Sequence, residues 1–117
     1  RDSYTHNKLL FICTTFCGFI QDEKRPPIYA KYNLLEDYYF TCKHFLRDKG
    51  VLRFNGFGVN TNFAKNKGGI QSHFKHDERL AVEYSIGDKM NCEFPNMINI
   101  IEKTKNKNIL LNRHYKL

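Results

Sequence analysis

Residues 27–50 read PIYAKYNLLEDYYFTCKHFLRDKG, and within them Ile28, Tyr32, Leu35, Tyr39, Cys42 and Leu46 recur at spacings of 4, 3, 4, 3 and 4. An α-helix turns once in about 3.6 residues, so these six side chains share one face, and that face is apolar. The spacing predicts a helix over 27–49. Pro26 and Pro27 suit its first turn, where a missing N–H is of little consequence. Gly50 suits the position just past its end, and Lys43, Arg47 and Lys49 complement the negative end of the helix dipole. The Tyr and Phe residues of this stretch read as core rather than as a stacking platform.

The flanking sequence reads as strands. Residues 8–20 are rich in β-formers and have the length of a hairpin of two short strands, with a change of register around Gly18. After Gly50 the period changes to two: 51–54 and 57–60 flank Asn55-Gly56, a favoured hairpin dipeptide. Residues 60–69, dominated by Asn, Lys and Gly, read as a loop. Ile70, Ser72, Phe74 and His76 then alternate with polar neighbours, as do Leu80, Val82 and Tyr84, with Asp77-Glu78 as the connection. Gly87-Asp88 reads as a turn into Met90, Cys92 and Phe94. Residues 97–101 and 108–112 read as a last pair of strands joined by the polar segment 102–107. The expected fold is α+β, a single domain over residues 1–117: an N-terminal β-hairpin, then one long α-helix packed on an antiparallel β-sheet of four or five strands.

Lys and Arg number 19 against 12 Asp and Glu, a formal charge of +7, while ten Phe and seven Tyr supply a core. This balance excludes a disordered chain and favours acidic or phosphate-bearing partners. Four cysteines, Cys13, Cys17, Cys42 and Cys92, permit two disulfides in any of three pairings. A Cys13–Cys92 bridge would close a loop of roughly 80 residues and stabilise by about 4–5 kcal/mol in the chain-entropy model. Zinc is disfavoured, because Cys42-x-His44 and His73-x-x-His76 lack the paired spacing of structural sites. The apolar run 9–20 is too short to cross a bilayer and, with two cysteines inside it, reads as a buried hairpin rather than a signal segment. The chain opens at Arg1 rather than Met, as expected where a leader has been removed.

For catalysis, His73, His76 and His114 with Glu36, Glu78, Glu83 and Arg79 offer the groups an RNA transesterification needs: a base, an acid and a cation for the phosphorane. Their spacing does not bring them together. No Gly-rich phosphate loop, paired-carboxylate motif or nucleophile elbow is present. Basic residues interleaved with aromatics suit phosphate contact and base stacking, and Arg53, Lys65, Lys67, Arg79, Lys105, Lys107 and Arg113 are the candidate RNA-binding set. Solvated turns are the plainer reading of the same charges.

Phe11-Ile12-Cys13 resembles the aromatic-x-Cys motif of the ribonuclease-like effectors of powdery mildews, whose fold is related to small guanyl-specific fungal ribonucleases. Cys13-x-x-x-Cys17, then Gly18-Phe19, then a helix carrying Cys42, is similar to the layout of that family. Lys31-Tyr32-Asn33-Leu34-Leu35-Glu36 and Asp77-Glu78-Arg79-Leu80 resemble fragments of the ribonuclease strands. Ala30 stands where the first would have a histidine, and no histidine follows the second at a comparable interval. The resemblance therefore implies a ribonuclease-like scaffold without catalytic residues: a secreted effector, delivered into a host cell, that binds host proteins such as an intracellular plant immune receptor, and RNA. It also implies that Cys13 pairs with a cysteine near the C-terminus, although Cys92 is followed here by 25 further residues. No cofactor and no membrane partner are expected. The alternatives are an active secreted ribonuclease or ribotoxin, or an immunomodulatory binding protein of another parasite or a virus.

Overall fold

The acidic pair Glu36-Asp37, not the proline pair ahead of it, opens the first helix. In the computed structural model, which describes residues 4–5, 7–60, 75–103 and 106–117, helix α1 spans Glu36–Asp48. Its first turn carries Glu36 and Asp37 and its last carries Arg47, each charge opposing the helix dipole. Leu35 and Lys49 bracket it in the left-handed conformation, at φ 60° and φ 61°. The expected helix over 27–49 is thus shorter by its first nine positions. Ile28 and Tyr32 still pack against the core, but from an irregular segment bent at Tyr32, Asn33 and Leu34.

The N-terminal segment 8–20 is not the expected hairpin. Its backbone turns to α1 for partners instead. The Ile12 N–H donates to Thr41 Oγ1 at 2.9 Å, and the Thr14 N–H and hydroxyl both donate to the Asp37 carboxylate. The only regular feature within it is a turn over 13–16, where the Phe16 N–H meets the Cys13 carbonyl at 3.3 Å. Its first half supplies burial rather than strand pairing: Leu9 is buried, and Leu10 and Ile12 pack on the core, while Phe16 in the turn and Phe19 and Ile20 beyond it are exposed.

The larger correction lies at 76–93. The strands expected at 80–84 and 90–94 are one helix, α2, spanning His76–Glu93. Alternation at Leu80, Val82 and Tyr84 coexists with a helical series, Val82, Ile86, Met90 and Phe94, whose last three members are buried. At its start, Glu78 accepts from the Lys75 N–H at 3.4 Å, the reciprocal half of a capping box. At its end, the Phe94 N–H donates to Met90 O at 2.7 Å before Pro95 and left-handed Asn96 turn the chain away. The residues of the strand expected at 70–76 that precede Lys75 lie outside the described residues, and His76 opens the helix instead.

Among the described residues four strands remain, in two antiparallel pairs rather than one sheet of four or five. β1 (Tyr4–Thr5) pairs with β2 (Arg53–Phe54), joining the N-terminus to the segment after α1. Asn55-Gly56 does form a turn, but 57–60 does not return along β2. β3 (Ile98–Lys103) and β4 (Asn106–Leu111) form the C-terminal hairpin, with Ile98 opposite Leu111 and Ile100 opposite Ile109. Ile98, Ile109 and Leu111 belong to or pack on the core and Ile100 lies toward Gly87 of α2, while Ile101 and Leu110, one step out of phase, are exposed. The fold is a small α+β domain of two helices and antiparallel strands, with a second helix where the ribonuclease-like layout expects sheet.

One core joins these elements: Leu9, Leu34, Tyr39, Cys42, Phe45, Val51, Ile86, Met90, Phe94, Met97 and Ile98. Tyr39 meets Phe94 edge-on at 5.7 Å, linking α1 to the end of α2. Phe45 meets Tyr115 at 6.1 Å, linking α1 to the C-terminal segment. Glu93, at the end of α2, holds Lys31 at 3.1 Å and accepts from the Tyr32 hydroxyl at 3.2 Å. These contacts fix the two ends of the chain beside each other across α1, and a cleft opens between them.

Candidate anion-binding cleft

The cleft measures about 430 Å³, within the range of small-ligand sites. Leu9, Leu10 and Phe11 form one wall and Tyr38 of α1 part of the floor, with Leu110 and Leu111 of β4 opposite. Arg53 of β2, with Arg113 and His114 just past β4, supplies the polar rim. Phe11 and Tyr38 pack as a tilted pair with centroids 5.1 Å apart. The Tyr38 hydroxyl donates to the Ile109 carbonyl at 2.9 Å, which pins the ring. Burial, and then the carboxylates of Asp37 and Glu83, push the Tyr38 phenol above its ordinary value, so the ring stays neutral. Asn112 shapes the rim. Its side chain donates to Asn96 O at 2.8 Å and accepts from the His114 N–H at 3.1 Å.

Among the described residues, neither Arg53 nor Arg113 makes an ion pair, and no Asp or Glu lines the cleft. Two exposed guanidinium side chains thus border an apolar and aromatic cleft without a carboxylate among the described residues to occupy them. Such groups bind phosphate or carboxylate oxygens through paired N–H donors. Phe54 and Phe57 follow Arg53 directly, and their rings meet edge-on at 6.5 Å. Phe57 is 83 % exposed, so its face is open to stacking.

Of the candidate RNA-binding residues, Arg53 and Arg113 therefore line the same cleft, although 60 positions apart. Arg79 does not join them; it lies on α2, paired with Glu83 at 2.9 Å. Lys107 sits on β4 opposite Glu102 in register. Lys65, Lys67 and Lys105 lie outside the described residues. The acid–base candidates are scattered too. His114 lines the cleft, His76 and Glu78 begin α2, Glu83 is taken by Arg79, Glu36 begins α1, and His73 lies outside the described residues. Sequence reasoning did not find Tyr38 or Asn112, and it read Phe11 only as part of a cysteine motif. A Tyr on a helix and an Asn after a strand carry no local mark of a shared cleft.

The four cysteines are free thiols, so none of the expected pairings is formed. Cys42 is fully buried in the core, and burial, with a smaller contribution from Glu93, pushes its thiol up to about 12. Cys13, Cys17 and Cys92 are exposed. Among the described residues no group of three or more His, Cys, Asp and Glu side chains could hold a metal ion, and no helix is long and apolar enough to cross a membrane.

A smaller depression of about 180 Å³ lies on the other side of α1, between Phe19, Pro26, Pro27, Phe40, His44 and Arg47. Its charges are already committed: Arg47 bonds Asp48 at 2.9 Å and Pro26 O at 2.8 Å, and reaches His44 Nδ1 at 3.1 Å. Phe19 stacks on the His44 ring at 4.5 Å. This arrangement fastens the 19–27 segment to α1. No protein-family model, no curated protein and no solved structure matches the chain.

Proposed function

We propose that this protein acts by binding rather than by catalysis, that the cleft between its chain ends is its contact site, and that single-stranded RNA is the partner class this site suits best. The observation that carries the reading is that Arg53 and Arg113, both without carboxylate partners among the described residues, line one cleft with Phe11, Tyr38 and Leu110. Phosphates would engage the guanidinium groups while bases stack on Phe54 and Phe57, a division of labour common to single-strand binders. A non-enzymatic role is supported by the make-up of the same cleft. His114 is the one histidine that lines it, and no carboxylate lines it to act as the partner base or acid.

The wider setting, a secreted effector delivered into a host cell and met there by proteins such as an immune receptor, belongs to the same proposal, as does the ribonuclease-like scaffold. Both rest on the resemblance carried by Phe11-Ile12-Cys13, Cys13-x-x-x-Cys17, Gly18-Phe19 and the helix with Cys42. The experiment is fluorescence anisotropy with a labelled single-stranded RNA, run beside a cleavage assay on total RNA. Saturable binding with intact RNA supports the reading. Discrete fragments that vanish on His114→Ala would replace it with an active ribonuclease, and no binding at low salt would end it.

A further inference from the structure

The turn at 13–16 places two exposed thiols over the same few atoms of chain. Its backbone closes where the Phe16 N–H meets the Cys13 carbonyl at 3.3 Å. Cys13 Sγ reaches forward to Thr15 Oγ1 at 3.3 Å, and Cys17 Sγ reaches back to the Thr14 carbonyl at 4.0 Å. Both sulfurs therefore lie against the Thr14-Thr15 tip, one from each side. The turn is held on its N-terminal side, where Ile12 and Thr14 are bonded to Thr41 and Asp37. On its C-terminal side Gly18 meets nothing within 4 Å of where a Cβ would sit, so the backbone there has room to adjust.

We propose that Cys13 and Cys17 are a thiol-oxidation site, a dithiol that a small-molecule disulfide such as oxidised glutathione closes into a Cys13–Cys17 bond. The geometry is suitable, because a disulfide requires Cα atoms within about 7 Å of each other, the turn closes Cys13 onto Phe16, one residue short of Cys17, and the Cys17 sulfur turns back to the Thr14 carbonyl inside it. In the first step one protein thiolate attacks a sulfur of oxidised glutathione, forming a mixed disulfide and releasing one glutathione thiolate. In the second step the other protein thiolate attacks the protein sulfur of that mixed disulfide, and the second glutathione leaves. Two protons leave the protein thiols and protonate the glutathione products, and two electrons pass from the protein to the glutathione disulfide. The Cys17 thiol is raised by burial, by Asp37 and by Cys13, which fits two thiols close enough to feel each other. Cys42 stays out of the exchange because no solvent reaches it. This inference stands apart from the cleft and survives or fails without it.

The sequence makes the test direct. Trypsin leaves Cys13 and Cys17 together on peptide 9–24, Cys42 on 32–43 and Cys92 on 90–103. The full chain is equilibrated natively with graded mixtures of reduced and oxidised glutathione, trapped with acid and N-ethylmaleimide, digested and weighed. Peptide 9–24 is expected to lose two hydrogens and carry neither glutathione nor maleimide, at mixtures where 32–43 remains fully alkylated. The native chain should close at a lower oxidised-to-reduced ratio than the urea-unfolded chain. Cys17→Ser should leave Cys13 carrying a single glutathione. Peptide 9–24 bonded to 90–103 or to 32–43 would overturn the proposal. So would two glutathiones on 9–24, its persistence as the free dithiol, or equal ratios for native and unfolded chain.

Discussion

Thr41, fully buried on α1, accepts a hydrogen bond from the backbone N–H of Ile12 at 2.9 Å, across 29 residues of sequence. The same hydroxyl donates to the Asp37 carbonyl one helical turn earlier at 2.7 Å. One side-chain oxygen thus satisfies a backbone donor of a segment that has no strand partner and holds it against the helix. Thr41→Val keeps the shape and removes the acceptor, leaving the Ile12 N–H unpaired. The expected cost is about 1–3 kcal/mol in urea unfolding. Thr41→Ser, which retains the hydroxyl, should lose clearly less.

The cleft predicts unequal effects among three arginines. Arg53→Ala and Arg113→Ala should each weaken single-stranded RNA binding and lower the slope of log K against log salt by about 0.7, the value for one lost phosphate contact. Arg79→Ala, outside the cleft and already paired with Glu83, should leave both affinity and slope near those of the parent. Equal losses from all three, measured by anisotropy over a salt series, would mean a diffuse charge effect rather than a site.

A pH dependence follows from His44. Burial first, and then the neighbouring Arg47, hold its imidazole below the ordinary value of 6.5, against the opposing pull of Asp48. Above that value the ring is neutral in folded and unfolded chains alike. As the pH falls through it the unfolded chain takes up a proton that the folded chain resists, so stability declines downward from about pH 6.5. Asp48, held below its ordinary 3.8 chiefly by its hydrogen bond from Arg47, adds a second loss, at lower pH still. Urea midpoints from pH 8 to 5 should fall for the parent, and His44→Gln should flatten that window.

Gly87 sits where α2 packs closely on the C-terminal hairpin. A Cβ at this position would come within 2.8 Å of Ile109 Cδ1 and 3.7 Å of Ile100 Cδ1. Alanine in place of glycine inside a helix gains about 1 kcal/mol, and the tip of Ile109 is the part of that side chain most able to move aside. Gly87→Ala should therefore lie near the parent in thermal unfolding. Gly87→Val adds two more carbons against the same pair of isoleucines and should destabilise by about 1–3 kcal/mol.

Gly87 also shows why the strand reading of 80–94 failed. Gly-Asp is a common turn signal, and Leu80, Val82 and Tyr84 alternate as a strand would. Over so few residues the alternating and helical patterns share members, and Val82 belongs to both. Which pattern prevails depends on the surface offered by β3 and β4, and that surface forms only when the hairpin at Ile100 and Ile109 is in place. Glycine here permits close approach of a helix rather than a turn. The N-terminal segment misled for a related reason: Ile12 and Phe11 are β-formers, but burial can be had without a strand when a helix side chain supplies the hydrogen bond.

What could be read from the chain alone was what depends on neighbours a few residues apart. The apolar series through Tyr39, Cys42 and Leu46 marks the second half of the first helix, and the alternation at 97–101 and 108–112 marks the last hairpin. Composition likewise established a basic domain with enough aromatic residues for a core. The tertiary structure alone decided between the helical and alternating patterns that 76–93 carries, the pairing of β1 with β2, and the placing of Arg53 and Arg113 in one cleft with Phe11. The last two join segments tens of residues apart, whose contact energy exists only after the intervening chain has folded, so no local pattern carries their trace.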